Sequence, residues 1–383
     1  MASEVRANSL AELRKRKSVK WRKYPEDVIP LPVAEMDFPI AEPIKAALVD
    51  MINRSDTGYL GPFPELFEAF SNFAADKWNW KPETSHMRIA TDVGVGVVEV
   101  LRTLITPGEK VILNSPVYDN MWNWVNEVKA ELIDVPLRSE GMEYSLDLNA
   151  LESAYKNGAR VHLLCNPHNP VGILYSKETL EAIAELAHRY NVTVISDEIH
   201  APLTFSGNTF TPFLAVSDTS REVGITVTSA SKAFNLAGLK CALIITGGGR
   251  LKDQINSMPI SVAFRASLFG AVAATAALSQ ARPWLDEVIK ALDHNRTLLK
   301  QLIETQIPAI SYRVPDFGYL AWLDLSALGL GDNPADLILE RGKVAINGGA
   351  MYGKQYPQFA RLNFGTSPEI ITEGIHRILR SLT

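Results

Sequence analysis

Three strand-length apolar runs, Val161–Cys165, Val192–Ser196 and Ile225–Thr228, each stop at polar or turn-forming residues, and Val111–Leu113 is a fourth of the same kind. Between them lie stretches with apolar residues at helical spacing, most clearly Lys177–Tyr190. A run that is apolar at nearly every position, not at alternate ones, has the pattern of a strand buried on both faces. Strand and helix in repeated alternation predict an α/β fold, a mainly parallel sheet with helices on both faces. Such sheets bind ligands beyond the carboxyl ends of their strands. The residues that directly follow each run are therefore where chemistry is expected.

After about residue 280 the texture changes. Arg282–Gln306 reads as one long helix, followed by short strands at Tyr319–Leu323 and Arg361–Phe364 and a final helix, Glu369–Leu382. This predicts a smaller α+β domain, with the Pro-rich stretch Tyr24–Pro43 wrapped against it. The expected division is a large domain of residues 44–280 and a small one built from both chain ends, 1–43 plus 281–383. With 383 residues, 46% of them hydrophobic, the chain can bury a sizeable core. Its net charge of −5 argues against bulk electrostatic binding of nucleic acid. Cys165 and Cys241 are its 2 cysteines, so no disulfide framework and no zinc cluster is expected. The basic run Arg14–Lys23 lacks the apolar stretch of a signal peptide, and Ser267–Ala281 is too short and too rich in Ala, Ser and Thr to span a membrane. The expectation is a cytoplasmic protein without membrane contact.

Four segments after strands carry chemistry. In Thr228-Ser229-Ala230-Ser231-Lys232 a lysine stands at a strand end on a chain running into apolar Phe234, Leu236 and Leu239. Desolvation lowers an amine's pKa, and a neutral amine can form a Schiff base; a surface lysine is the plainer alternative. In Asp197-Glu198-Ile199-His200 the buried carboxylate of Asp197 needs a partner, either a protonated pyridine nitrogen or the start of a helix that it caps. Asn166-Pro167-His168-Asn169-Pro170-Val171-Gly172 reads as an extended, rigid turn from which Asn169 can present its amide. Thr91-Asp92-Val93-Gly94-Val95-Gly96 opens a helical stretch whose first N–H groups suit a phosphate. It is no dinucleotide fingerprint, because a third glycine is missing at Glu99.

In this order and spacing the four segments resemble fold-type I pyridoxal 5′-phosphate (PLP) enzymes of the class I/II aminotransferase superfamily, over nearly the whole chain. A narrower likeness is to the MalY/PatB-type cystathionine β-lyases. It rests on Ser18-Val19-Lys20-Trp21, on Val33-Ala34-Glu35-Met36-Asp37-Phe38, on Asp-Glu-Ile-His with His200 where aminotransferases have Tyr, and on Lys-Ala-Phe-Asn-Leu-Ala-Gly-Leu after the lysine. The usual W-V-A-D-M-D-F of that group is altered here by Pro32 and Glu35.

The resemblance implies a seven-stranded-type sheet in the large domain and a role for each motif. Lys232 would hold the cofactor through a Schiff base and act as the catalytic base. Asp197 would pair with the pyridine nitrogen, Asn169 with the ring oxygen, with His200 nearby, and Tyr118 would stack on the ring. Val93, Gly94, Ser229 and Ser231 would hold the phosphate, with Tyr59 reaching it from a partner subunit in a homodimer. Arg361 would grip the substrate α-carboxylate, and Asn169 and Glu35 lie on the substrate side. Lys240 stands where aminotransferases often have a phosphate-binding Arg, and Gly94 with Gly96 would make the phosphate loop loose. His168 is expected to be structural. The implied activity is β-elimination from cystathionine or a related S-substituted L-cysteine, giving pyruvate, ammonia and a thiol. An aminotransferase, or a regulatory or binding protein on the same fold, would share these motifs.

Overall fold

The computed structural model describes residues 5–382. Seven strands form its main sheet: β1 (Met87–Ala90), β2 (Lys110–Leu113), β3 (Glu131–Asp134), β4 (Ala159–Cys165), β5 (Thr193–Asp197), β6 (Gly224–Thr228) and β7 (Ala242–Thr246). They lie in the order β1-β7-β6-β5-β4-β2-β3. From β3 to β6 all neighbours are parallel. Strand β7 runs against both β6 and β1. Parallel neighbours need a long crossover. The link from β6 to β7 is instead a loop with one short 3-10 turn, Ala237–Leu239, so the chain comes back reversed. Every residue of β5, β6 and β7 is buried, as continuous apolar runs require. Each fully buried Ile or Val there contributes about 1.5–3 kcal/mol through apolar area removed from water.

Helix α1 (Val93–Leu104) follows β1, α2 (Asn120–Glu127) follows β2, and α3 (Lys177–Tyr190) joins β4 to β5. Ser176 caps α3 by accepting the Thr179 N–H, and Asn191 ends it in the left-handed region at φ 53°. The Ala-rich α4 (Leu268–Gln280) is buried along most of its length, as the low polarity of its sequence implied. Beyond it, α5 (Arg282–Gln306) leads to a four-stranded antiparallel sheet. That sheet contains β8 (Ser311–Tyr312), β9 (Leu320–Asp324), β10 (Asn347–Gly348) and β11 (Phe359–Asn363), in the order β8-β9-β11-β10. Helix α6 (Pro368–Ser381) closes the chain. No helix among the described residues is long and apolar enough to cross a membrane.

The N-terminal stretch joins the two sheets. Ile29–Pro30 pairs in parallel with Val344–Ala345. Residues 32–38 then form a strap held mainly through its own backbone. Asn363 Nδ2 on β11 donates to the carbonyls of Val33 (2.5 Å) and Glu35 (2.8 Å). Asn235, in the loop after Lys232, donates to the carbonyls of Met36 (2.9 Å) and Phe38 (3.1 Å). At the strap's end the buried Asp37 carboxylate accepts from Lys20 Nζ (2.8 Å) and Trp21 Nε1 (2.9 Å). The Ser-Val-Lys-Trp and Ala-Glu-Met-Asp-Phe segments are thus two halves of one buried clasp. A buried pair of this kind is costly to break, because the remaining charge is left without a partner.

Candidate active site

The strand ends, the head of α1 and the strap enclose a cavity of about 400 Å³. Its lining includes Lys232, Asp197, His200, Asn169, Tyr118, Val93, Gly94, Ser229 and Ser231. The motifs read from sequence as chemistry-bearing therefore converge on one place.

Lys232 follows β6 and is half-buried, with Nζ donating to the Ala34 carbonyl at 2.9 Å. Burial pushes its pKa down to about 8. Arg361 adds to that shift, while Asp197, Glu35 and Asp119 oppose it. Asp197 ends β5, and burial pushes its carboxyl up to about 7. It caps no helix; its Oδ1 accepts the Ile199 N–H at 3.1 Å in a tight turn. A buried acid so poorly supplied with donors is prepared for a cation or an N–H arriving from the cavity. His200, from the same segment, is buried and held far below its ordinary pKa by desolvation. Its Nδ1 has no hydrogen-bond partner.

Arg361 on β11 is 2% exposed. Its Nη1 donates to Asn169 Oδ1 (3.1 Å) and its Nη2 to the Pro32 carbonyl (3.1 Å), while its Nε finds no partner. The guanidinium also lies over the Tyr352 ring, 4.9 Å from the centroid. Asn169 reaches this position from a turn in which the peptide bonds before Pro167 and Pro170 are both cis, not the extended steps expected from two X-Pro pairs. His168 within that turn is structural, bonded to the Pro116 carbonyl (2.8 Å) and the Tyr175 hydroxyl (2.6 Å).

At the far end of the cavity, α1 begins at Val93, earlier than the apolar pattern suggests. Asp92 caps it by accepting the Val95 N–H at 2.8 Å. Val93 and Gly94 line the cavity, and their first-turn N–H groups have no partner within the helix. Lys240 also lines it and pairs with Asp92 Oδ2 at 2.9 Å. The loop is not loose, as its glycines suggested. A Cβ on Gly94 would meet Trp124 Nε1 at 2.9 Å, and one on Gly96 would meet Val227 at 3.2 Å. The glycines are there for close packing. Ser229 and Ser231 lie near this end, but the Ser229 hydroxyl donates inward to the Cys241 carbonyl at 2.6 Å.

Trp124 is a lining residue that sequence reasoning passed over. Its ring meets Tyr118 edge-on, with centroids 5.8 Å apart. One tryptophan among the aromatics of Asn120-Met121-Trp122-Asn123-Trp124 carries no separate signal. Tyr319 was also missed; its hydroxyl donates to the Ala34 carbonyl at 3.1 Å. Three expected residues are not part of the lining, Arg361 among them, which reaches the cavity wall only through Asn169. Glu35 lies beside Ala34 in the strap but is not part of the lining. Tyr59 is 83% exposed and stacks on Phe264 (centroids 5.0 Å), outside the cavity of its own chain.

A planar, phosphorylated group fits this arrangement. The helix head and Lys240 offer an anion site. Asp197 faces the cavity with unmet acceptor capacity, and Lys232 supplies an amine partly neutral near pH 8. The fold and cavity define an α/β enzyme suited to anchoring such a cofactor by a lysine. More particularly, the chain belongs to the aminotransferase class I and II family, whose model matches residues 26–378. A Mycobacterium tuberculosis protein provisionally named cystathionine β-lyase is 41% identical, over 98% of this chain and 97% of that one. Cystathionine β-lyase PatB of Bacillus subtilis is 32% identical, over 96% and 97%. The structure of Treponema denticola cystalysin, which contains pyridoxal 5′-phosphate, superposes with a TM-score of 0.93 at 25% identity, covering 100% of this chain and 99% of that one.

Proposed function

We propose that the protein is a PLP-dependent carbon–sulfur β-lyase acting on cystathionine or related S-substituted L-cysteines. The observation that carries the reading is the convergence of the Lys232 amine and the buried Asp197 carboxyl on one cavity, with the Arg361 fork bonded to Asn169 in its wall. Full-length likeness to proteins named cystathionine β-lyase supports the choice of reaction. When bound, pyridoxal phosphate supplies an electron sink for charge developing at the substrate's Cα.

Each residue's part follows from its surroundings. Lys232, whose Nζ reaches the cavity, would hold the cofactor and be free to act as a base when substrate is bound. The α-carboxylate then takes the Arg361 guanidinium, whose planar fork gives two parallel bonds, and Asn169 sits beside the pair. Asp197, buried and facing the cavity, would hold a proton on the ring nitrogen and so keep the sink effective. Tyr118, His200 and Asn169 line the cavity and would hold the ring, Tyr118 by its face and the other two by their polar groups. The N–H groups of Val93 and Gly94, with Ser231 and Lys240, would hold the phosphate, while the Ser229 hydroxyl stays on the Cys241 carbonyl. The freed Lys232 Nζ takes the Cα proton, and the β-thiolate departs. With one water consumed, the products are pyruvate, ammonia and the thiol.

Residues 44–280 are read as the cofactor domain, and 1–43 with 281–383 as the smaller domain. The protein is read as a cytoplasmic homodimer in which Tyr59 serves the partner's cavity. That reading is supported by an exposed apolar patch of Tyr59, Ile260 and Phe264 that leaves Tyr59 nothing to do in its own site. The direct test is incubation with L-cystathionine and no keto acid, which should release pyruvate and homocysteine. Absence of pyruvate from every cysteine thioether tried, with amino transfer to an added keto acid instead, would replace the lyase reading with an aminotransferase.

A further inference from the structure

The strap makes a three-residue turn above Lys232, in which the Glu35 N–H donates to the Val33 carbonyl at 2.8 Å. Ala34 is the apex of that turn. The carbonyls on either side of it, Val33 and Glu35, are both taken by Asn363 Nδ2. The Ala34 carbonyl takes different partners. It accepts from Lys232 Nζ at 2.9 Å and from the Tyr319 hydroxyl at 3.1 Å. Tyr319 has little freedom to do anything else. It is 1% exposed, its carbonyl accepts the Phe364 N–H at 2.8 Å, and its ring packs edge-on against His200. The preceding Gly318, at φ 77°, turns the chain so that the tyrosine enters β9 from beneath the strap.

Resting on the lyase reading above, we infer that the Ala34 carbonyl, aimed by the Tyr319 hydroxyl, is the dock of the Lys232 amine whenever that amine is not bonded to the cofactor. Tyr319 is then a positioning residue for Cα proton transfer. A carbonyl oxygen only accepts, so it stabilises the ammonium that forms once Nζ has taken the Cα proton. The other charged groups acting on Lys232 are Arg361, which opposes its charge, and Asp197, Glu35 and Asp119, which favour it. The nearby His200 ring is buried and neutral. With the amine brought down to about 8 by burial, both its forms are populated near neutrality, and a displaced Ala34 carbonyl shifts the balance visibly.

The test uses the Tyr319→Phe variant, which keeps the ring against His200 and removes the hydroxyl. In the cofactor-free protein, competitive acetylation of Lys232 is followed by mass spectrometry from pH 6 to 10, with exposed Lys240 as internal reference. The Lys232 labelling midpoint is expected to fall by about half a pH unit, since without the hydroxyl the Ala34 carbonyl is no longer held towards Nζ and part of its bond to the charged amine is lost. An unmoved or higher midpoint overturns the dock. In the loaded enzyme kcat should fall about ten-fold with KM within about two-fold, because Tyr319 acts on the base and not on substrate binding; a parent-like kcat also overturns it. Should Tyr319→Phe not fold, Ala34→Gly loosens the same turn and must lower the same midpoint. The labelling needs neither cofactor nor turnover, so a protein inactive on thioethers would sink the lyase reading while the midpoint still judged the dock.

Discussion

Adjacent carboxyls in this chain share a burial penalty and divide the work. Asp197 faces the cavity, whereas Glu198 lies outside its lining and accepts from the Ser196 hydroxyl (2.9 Å) and the Phe213 N–H (2.8 Å). Burial pushes Asp197 up to about 7 and Glu198 up to about 8. In the unfolded chain both ionise near pH 4. Between those values the folded protein holds more protons than the unfolded one, so its stability falls as pH rises. With respect to these two groups the cofactor-free protein should therefore be most stable below about pH 4 and lose stability progressively towards pH 8. Glu198→Gln keeps an oxygen for both donors and removes the charge. It should flatten that decline by a few kcal/mol at most, read as thermal midpoints at pH 5 and pH 8.5. A variant with the parent's full pH dependence would show that Glu198 is ionised without penalty.

Elements differ in how much of them the sequence announces. Strands β4, β5 and β6 and helices α3 and α5 were legible, because burial on both faces and a 3.6-residue period leave direct marks on the sequence. The reversed β7 was not, since its direction depends on a connection without a crossover helix and not on its own residues. Lys232, Asp197 and Asn169 were legible as lining residues because each ends or follows a strand in a motif, whereas Arg361 sits in the middle of β11 and touches the wall through Asn169. Ala34 and Tyr319 were not, because one works through its backbone and the other is an ordinary core tyrosine until its hydroxyl is located. The misread loop at α1 gives a sharp prediction. Alanine at Gly94 would gain helix propensity of about 0.5–1 kcal/mol, yet its Cβ would stand 2.9 Å from Trp124 Nε1. The indole must then move, and with it the Tyr118 ring that meets it edge-on. Gly94→Ala should bind pyridoxal phosphate about ten-fold more weakly, measured by absorbance titration, with a thermal midpoint equal to or above the parent's. Unchanged affinity would show that the Trp124–Tyr118 pair adapts freely.

At the scale of the whole molecule the proposed homodimer provides a test of whether Tyr59 serves its own cavity or the partner's. Tyr59 lies outside its own cavity and, with Ile260 at 79% and Phe264 at 49% exposure, belongs to a surface that a single copy leaves in water. Closed symmetric dimers bury the same patch on both copies, so a residue donated across the axis is donated twice. Mixing two dead variants tests this directly. In a hybrid of Lys232→Ala with Tyr59→Ala, one cavity lacks its lysine and also receives the altered tyrosine. The other cavity keeps its own Lys232 and receives an intact Tyr59 from the lysine-less partner. If Tyr59 works across the interface, each hybrid therefore holds one wild-type site. Random reassembly of equal amounts makes about half the dimers hybrids, so roughly a quarter of the parent's pyruvate-forming activity should return. If Tyr59 served its own chain, each hybrid cavity would lack one group and mixing would restore nothing. Sedimentation of each variant alone must still give a dimer, since a loss of activity through dissociation would recover with protein concentration, whereas a missing side chain would not.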